Sequence, residues 1–177
     1  MMLKELINKR QSVRKYKNSA VPADVIAACI EAARLAPSAC NAQPWKFIVV
    51  DDAALKQQVG AAAERFGMNS FCKIAPCIVA VVLEKPNLTS AIGSVMKDKE
   101  YTLIDIGIAT EHFCLQAVEL GLGTCMIGWF DEKKVRQLLC IPKNKRIPLL
   151  IAIGYPDDAP REKVRKPTDQ MSSRNGY

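Results

Sequence analysis

Two short basic stretches near opposite ends of the chain carry residues whose type and spacing suit an anion. Arg10, Ser12 and Arg14 alternate in "RQSVR", and Lys163 and Arg165 alternate in "KVR". Alternate side chains of an extended segment point to one side. Each guanidinium offers a planar fork of donors that matches phosphate oxygens. A second polar group, Ser38, Asn41 and Gln43, sits between Pro37 and Pro44 in "PSACNAQPWKF". Its amides and hydroxyl both donate and accept hydrogen bonds, and the prolines limit how far the loop moves. Simpler readings exist for both: a solvated basic surface for the first and local turn bonding for the second.

These groups are useful only if secondary structure brings them to fixed places. From Pro22 to Ala36, Ile26, Cys29, Ile30 and Ala33 recur at helical spacing, with Pro22 suited to the first turn and Pro37 just past the end. "KFIVVDD" reads as a buried strand, and "DAALKQQVGAAAERF" as a helix whose acidic start suits its dipole. "APCIVAVVLE" is β-branched enough for a central strand. "KPNLTSAIGSVMKDK" loses periodicity and is expected to be a loop, the natural place for a lid. "YTLIDIGIATEHFCLQAVELGLG" predicts a long helix apolar on more than one face, as in a core or a subunit interface. "TCMIGWF" and "PLLIAIGYP" predict two further strands flanking the helix "DEKKVRQLL", followed by a polar, proline-bearing tail. Gly121 and Gly123 are expected to end the long helix and make its turn. "GLGTCMIG" is no dinucleotide fingerprint, because its third glycine falls late and it leads from helix to strand.

Composition narrows the class. The 177 residues, 49% hydrophobic and 24% charged, are expected to form one globular domain spanning 1–177. The start lacks the apolar region of a secretory signal, and no apolar run approaches the roughly 20 residues of a membrane span. Seven cysteines at irregular spacing fit free thiols in a reducing compartment, so a cytoplasmic location is expected. With one histidine and no Cys-x-x-Cys, no metal site is expected. The net charge of +7 invites a nucleic-acid reading. Its concentration at the two chain ends, with 6% aromatics and no binding motif, suits a small phosphorylated ligand instead, if the fold joins the ends. His112, mid-helix among apolar neighbours, reads as a packing residue, as does Trp45.

Taken in order, the basic "RQSVR" after a first helix, the loop "PSACNAQPW", the junction "GLGTCMIGWF" and "KVRKP" resemble the nitroreductase family over nearly the whole chain. Those enzymes use FMN to reduce nitro compounds, quinones and flavins with NADH or NADPH. The resemblance implies an α+β fold, a central mixed, largely antiparallel sheet flanked by helices, in a homodimer with two FMN sites at its interface. It implies that Arg10, Gln11, Ser12, Arg14, Lys163 and Arg165 meet the FMN phosphate and ribityl chain. Pro37, Ser38, Asn41 and Gln43 would line the flavin edge, often from the partner subunit. Met126, Ile127 and Gly128 would lie against a flavin face. The expected partners are a small-molecule electron acceptor and a second copy of the chain, with no nucleic acid and no membrane. No catalytic side chain is expected, because the cofactor carries the chemistry. A flavin-storage protein, or a dehydrogenase or dehalogenase on the same scaffold, would share these residues.

Overall fold

A computed structural model describes residues 2–85 and 99–177. Four strands form one antiparallel sheet in the order β1-β2-β4-β3. They are β1 (Trp45–Val50), β2 (Cys77–Leu83), β3 (Gly123–Ile127) and β4 (Arg146–Gly154). Around them lie α1 (Leu3–Lys9), α2 (Ala23–Arg34), α3 (Ala53–Ala63), α4 (Tyr101–Glu119) and α5 (Glu132–Leu138). This is the expected α+β architecture. The sheet was expected to be mixed, but its four strands pair antiparallel throughout; among the described residues a parallel bridge, Ser12 to Thr124, lies outside the strands beside β3.

Strand alternation builds two cores. In β2, Ile78, Ala80 and Val82 face one side, where they pack with Val59, Ala62 and Ala63 of α3 and Val135 of α5. Val79 and Val81 face the other, with Ile26, Cys29 and Ala33 of α2 and Ile106, Ala109 and Phe113 of α4. A strand covered on both faces reads as one apolar run because both periodic sets are buried. Pro148 is tolerated inside β4 because the β2 to β4 register shifts between Val81 and Leu83, opposite it.

Helix ends follow their capping chemistry. The Asp52 carboxylate accepts from Leu55 N at 2.8 Å, and the Asp131 carboxylate from Lys134 N at 2.9 Å, fixing the starts of α3 and α5. The helix expected to run to Phe66 stops at Ala63, because Glu64 is extended and Phe66 and Gly67 turn the chain with positive φ. Gly121 takes φ +79 after α4, as a helix-ending glycine does. Gly123 belongs to β3 instead: a Cβ there would strike the Val13 side chain. β3 ends at Ile127, before Gly128 and Trp129, while β4 begins two residues earlier than expected, at Arg146. The expected lid falls largely on residues 86–98, outside the described residues.

The two chain ends meet beside β3. Val13 N donates to Thr124 O at 2.9 Å, Lys17 N to Tyr155 O at 2.9 Å and Asp157 N to Lys15 O at 2.9 Å. The Tyr16 hydroxyl donates to the carbonyls of Val13 and Ala152, pinning the segment to the sheet. The tail beyond Asp157 holds only one short 3₁₀ turn, Thr168–Gln170.

Candidate active site

Stitching residues 12–17 to 155–157 puts the two basic stretches in one place. Arg10, Gln11, Ser12, Arg14, Arg161, Glu162, Lys163 and Arg165 line a single open pocket of about 250 Å³. Six of the sequence-predicted residues are thus brought together from positions some 150 apart. The pocket is built by backbone as much as by charge. The Gln11 side chain donates to Ala159 O at 3.2 Å and accepts from Arg161 N at 2.9 Å, tying one chain end to the other. The Arg161 guanidinium donates to Ser12 O. Lys163 Nζ donates to Arg10 O at 2.5 Å. Arg14 N donates to the Asp158 carboxylate at 3.3 Å, and its guanidinium lies 6.0 Å from the Phe71 ring centre.

The electrostatics are unbalanced toward positive charge. Arg10 pairs with Glu111 of α4 at 3.1 Å, but Arg14, Arg161, Lys163 and Arg165 share the pocket with Glu162 as its single acidic lining residue. Lys163 sits below the usual lysine pKa, first through desolvation and then through the charges of Arg10 and Arg165. Crowded cations favour an anion that would relieve their mutual repulsion. Arg161 was not singled out from the sequence, although "REKVR" extends the same alternation by one step.

The loop after α2 is organised differently. Ala39–Asn41 form a 3₁₀ turn. Three non-glycine residues, Cys40 (φ 52), Asn41 (φ 51) and Gln43 (φ 45), adopt left-handed backbone. Such residues are uncommon and costly outside glycine. The polar groups satisfy one another: Gln43 N donates to Ser38 Oγ at 3.0 Å, and Gln43 Nε2 donates to Asn41 Oδ1 at 3.0 Å and Asn41 O at 3.2 Å. Asn41 and Gln43 remain exposed, as does Pro37. None of these residues lines the basic pocket. Within one chain, Pro37, Ser38, Asn41 and Gln43 therefore form a separate polar projection.

The third set lies along β3. Met126 is exposed, while the Ile127 side chain is buried in the sheet core, leaving only its backbone for contact. A Cβ on Gly128 would meet nothing within 4 Å, so this backbone faces open space. Trp129, 60% exposed, follows directly, its carbonyl accepting from Asn69 Nδ2 at 3.0 Å. Trp45 packs partly buried against the α2/α4 core, and His112 is half-buried. The buried thiols are poor nucleophiles. Burial pushes Cys29, Cys72, Cys77 and Cys114 up to about 12, and it raises Cys125 beneath the basic pocket as well.

Among the described residues no helix is long and apolar enough to cross a membrane. The Nitroreductase family matches residues 7–67 and 60–155 of this chain. An iodotyrosine deiodinase of Thermotoga neapolitana is 30% identical over 167 residues, covering 89% of this chain and 90% of that protein. A putative NADH dehydrogenase/NAD(P)H nitroreductase of Archaeoglobus fulgidus is 32% identical over 158 residues, covering 87% and 85%. The solved structure of an FMN-dependent nitroreductase of Clostridium difficile R20291 superposes with a TM-score of 0.80 at 28% identity, covering 99% of this chain and 100% of that one. The matches span the N-terminal basic segment, the polar loop, the sheet and α4, and the chain belongs to the nitroreductase family.

Proposed function

We propose that the chain is an FMN-dependent oxidoreductase that uses NADH or NADPH to reduce a small planar acceptor such as a nitro compound or quinone. The observation that carries this reading is the joining of both basic stretches in one pocket. Its donor set fits a phosphate monoester: guanidiniums offering paired N–H groups, an ammonium held below its usual pKa, and a single acidic lining residue. Arg14 and Arg165 hold the phosphate, Arg161 and Gln11 lock the two chain ends around it, and the Glu111 partner of Arg10 fixes that side chain. When bound, FMN would supply the redox chemistry, two-electron transfer between the nicotinamide and the acceptor.

The protein's own contribution is then position and polarity. The exposed backbone at Gly128 admits a flat ring closely, and Met126 offers an apolar contact at the strand edge. Asn41 and Gln43 present amide groups suited to the polar edge of such a ring. Because their loop stands outside the basic pocket of its own chain, it serves the site of a second copy in a symmetric homodimer. The exposed Leu103 (42%) and Ile104 (55%) of α4 supply an apolar face for that dimer to cover. The raised pKa of the buried thiols argues for cofactor-borne chemistry over thiol chemistry.

The deiodinase relative favours a second outcome from the same flavin, reductive loss of halide from an aryl ring. One experiment separates the readings. The purified protein is titrated with FMN, and bound-flavin absorbance is followed by stopped flow with NADH or NADPH, then with a nitroaromatic, a quinone or iodotyrosine. Rapid bleaching by nicotinamide and reoxidation by nitroaromatic or quinone supports the first reading. Reoxidation by iodotyrosine alone supports the second, and binding without bleaching would reduce the chain to a flavin carrier.

A further inference from the structure

Asp105 lies in α4 and is 3% exposed, a carboxylate on a buried face that also carries Ile106, Ala109 and Thr110. One oxygen, Oδ1, accepts from Ala39 N at 3.1 Å, across 66 residues of sequence. The other, Oδ2, has no hydrogen-bond partner among the described residues. Burying a carboxylate for one backbone N–H is expensive, and an apolar residue of similar size would pack there at less cost. The N–H it accepts opens the turn that carries Cys40, Asn41 and Gln43 in left-handed backbone. Strain of that kind persists only where the surroundings over-determine it. Other bonds of the loop run within it, Gln43 to Ser38 and to Asn41, Asn41 N to Ser38 O and Ala42 N to Ala39 O, while Glu84 N donates to Pro44 O where the loop enters β1. Those bonds set its shape but not its place relative to α4.

We propose that Asp105 is the positioning residue of the polar loop, its bond to Ala39 N holding the amides of Asn41 and Gln43 at the angle from which they read the flavin edge. The inference rests on the flavin reading above and adds a residue that touches no cofactor. The bond anchors the turn to α4 as well as to the end of α2 that precedes it. Loss of the anchor frees the turn to relax toward ordinary backbone, which swings both amides away while the basic pocket, built on other elements, keeps its grip on phosphate.

Two substitutions remove the bond from opposite sides. Asp105→Leu deletes the acceptor. Ala39→Pro deletes the donor, and Ser38 before it, at φ −146 and ψ 155, already has the backbone that precedes proline. Asp105→Asn keeps an oxygen for Ala39 N. In the flavin-free protein, amide exchange across residues 39–43 should quicken about tenfold or more in Asp105→Leu and Ala39→Pro, and Asp105→Asn should restore it. With FMN bound, the first two should alter the visible circular dichroism of the flavin and slow its reduction by nicotinamide about ten- to a hundredfold, with FMN affinity nearly unchanged. Adding Asn41→Ala to either should slow it little further. Unchanged exchange and dichroism in Ala39→Pro would overturn the proposal, as would an Asp105→Asn variant as impaired as Asp105→Leu, which would assign the role to charge. If wild-type protein binds no FMN, the flavin reading fails by itself, and the exchange measurement still decides whether Asp105 anchors the loop.

Discussion

The basic pocket and the polar loop are both candidate parts of one site, yet they are built on opposite principles. The pocket gathers residues 10–14 and 161–165 through the backbone pairing of residues 15–17 with 155–157 and through side-chain bonds between the ends, and its cations outnumber its single acidic lining residue. The loop is local and strained, its amides bonded to one another, and Asp105 ties its turn to α4. A surplus of like charge waits for a ligand of opposite sign, so the pocket should govern affinity. A preset polar edge gains little from binding strength and more from angle, so the loop should govern rate. This is the division expected where binding a remote group holds a cofactor while nearby dipoles tune its reactive ring.

Breaking the pocket should have the largest effect. Arg14→Ala or Arg165→Ala is expected to weaken FMN binding by about 1.5 to 3 kcal/mol, the range for hydrogen bonds to charged groups. Equilibrium titration by flavin fluorescence measures it. Equal affinity in both variants would remove phosphate from the pocket.

Next in size is the seam that assembles the pocket. A Cβ at position 123 would press into Val13, one residue from Ser12, and backbone pairing leaves that segment little room to yield. Gly123→Ala should cost about 1 to 3 kcal/mol of stability, as overpacking does, and should weaken FMN binding as well. Denaturant unfolding of the flavin-free protein separates the two losses. Gly128→Ala, where a Cβ meets nothing in the single chain, should leave the stability of the flavin-free protein nearly unchanged.

The loop sharpens the contrast from the other side. Asn41→Ala should leave FMN affinity within about 1 kcal/mol, the worth of an ordinary hydrogen bond, while slowing reduction of the bound flavin when FMN saturates. A variant that lost affinity and kept its rate would reverse the assignment of the two regions.

Much of this was legible in sequence, for reasons that differ along the chain. Helical spacing in α2 and apolar runs in β2 and β4 are local signals, so their placement followed from neighbours a few residues away. Alternation marked Arg10, Ser12, Arg14, Lys163 and Arg165 as converging sets, but how the ends meet is set by tertiary bonds of residues such as Tyr16, Lys17 and Asp157, spanning some 140 residues. Gly123 looked like a turn residue because its contact with Val13 is tertiary. The turn Ala39–Asn41 was hidden for the same reason: its anchor, Asp105, is one of three acidic residues in α4, and nothing local in the sequence marks it as the buried one or assigns its partner.

The smallest effect expected is a pH dependence carried by Lys163. Its pKa in the folded protein is lowered, so its charge is costly below that value and the cost vanishes as pH rises toward the ordinary lysine pKa. Its contribution therefore makes the flavin-free protein more stable across that window as pH rises. FMN binding should weaken over the same window as the ammonium is lost, and Lys163→Met should flatten both trends.

Comparison of FMN with riboflavin tests the central claim most directly, because the two ligands differ only in the phosphate. Titrated against wild-type protein at low and moderate salt, FMN should bind far more tightly than riboflavin, by about 3 kcal/mol or more for two charged contacts. The gap should narrow with salt and shrink most in the Arg14→Ala, Arg165→Ala double variant. Equal affinity for the two flavins, or a gap untouched by that double variant, would contradict the assignment of the joined chain ends as the phosphate site.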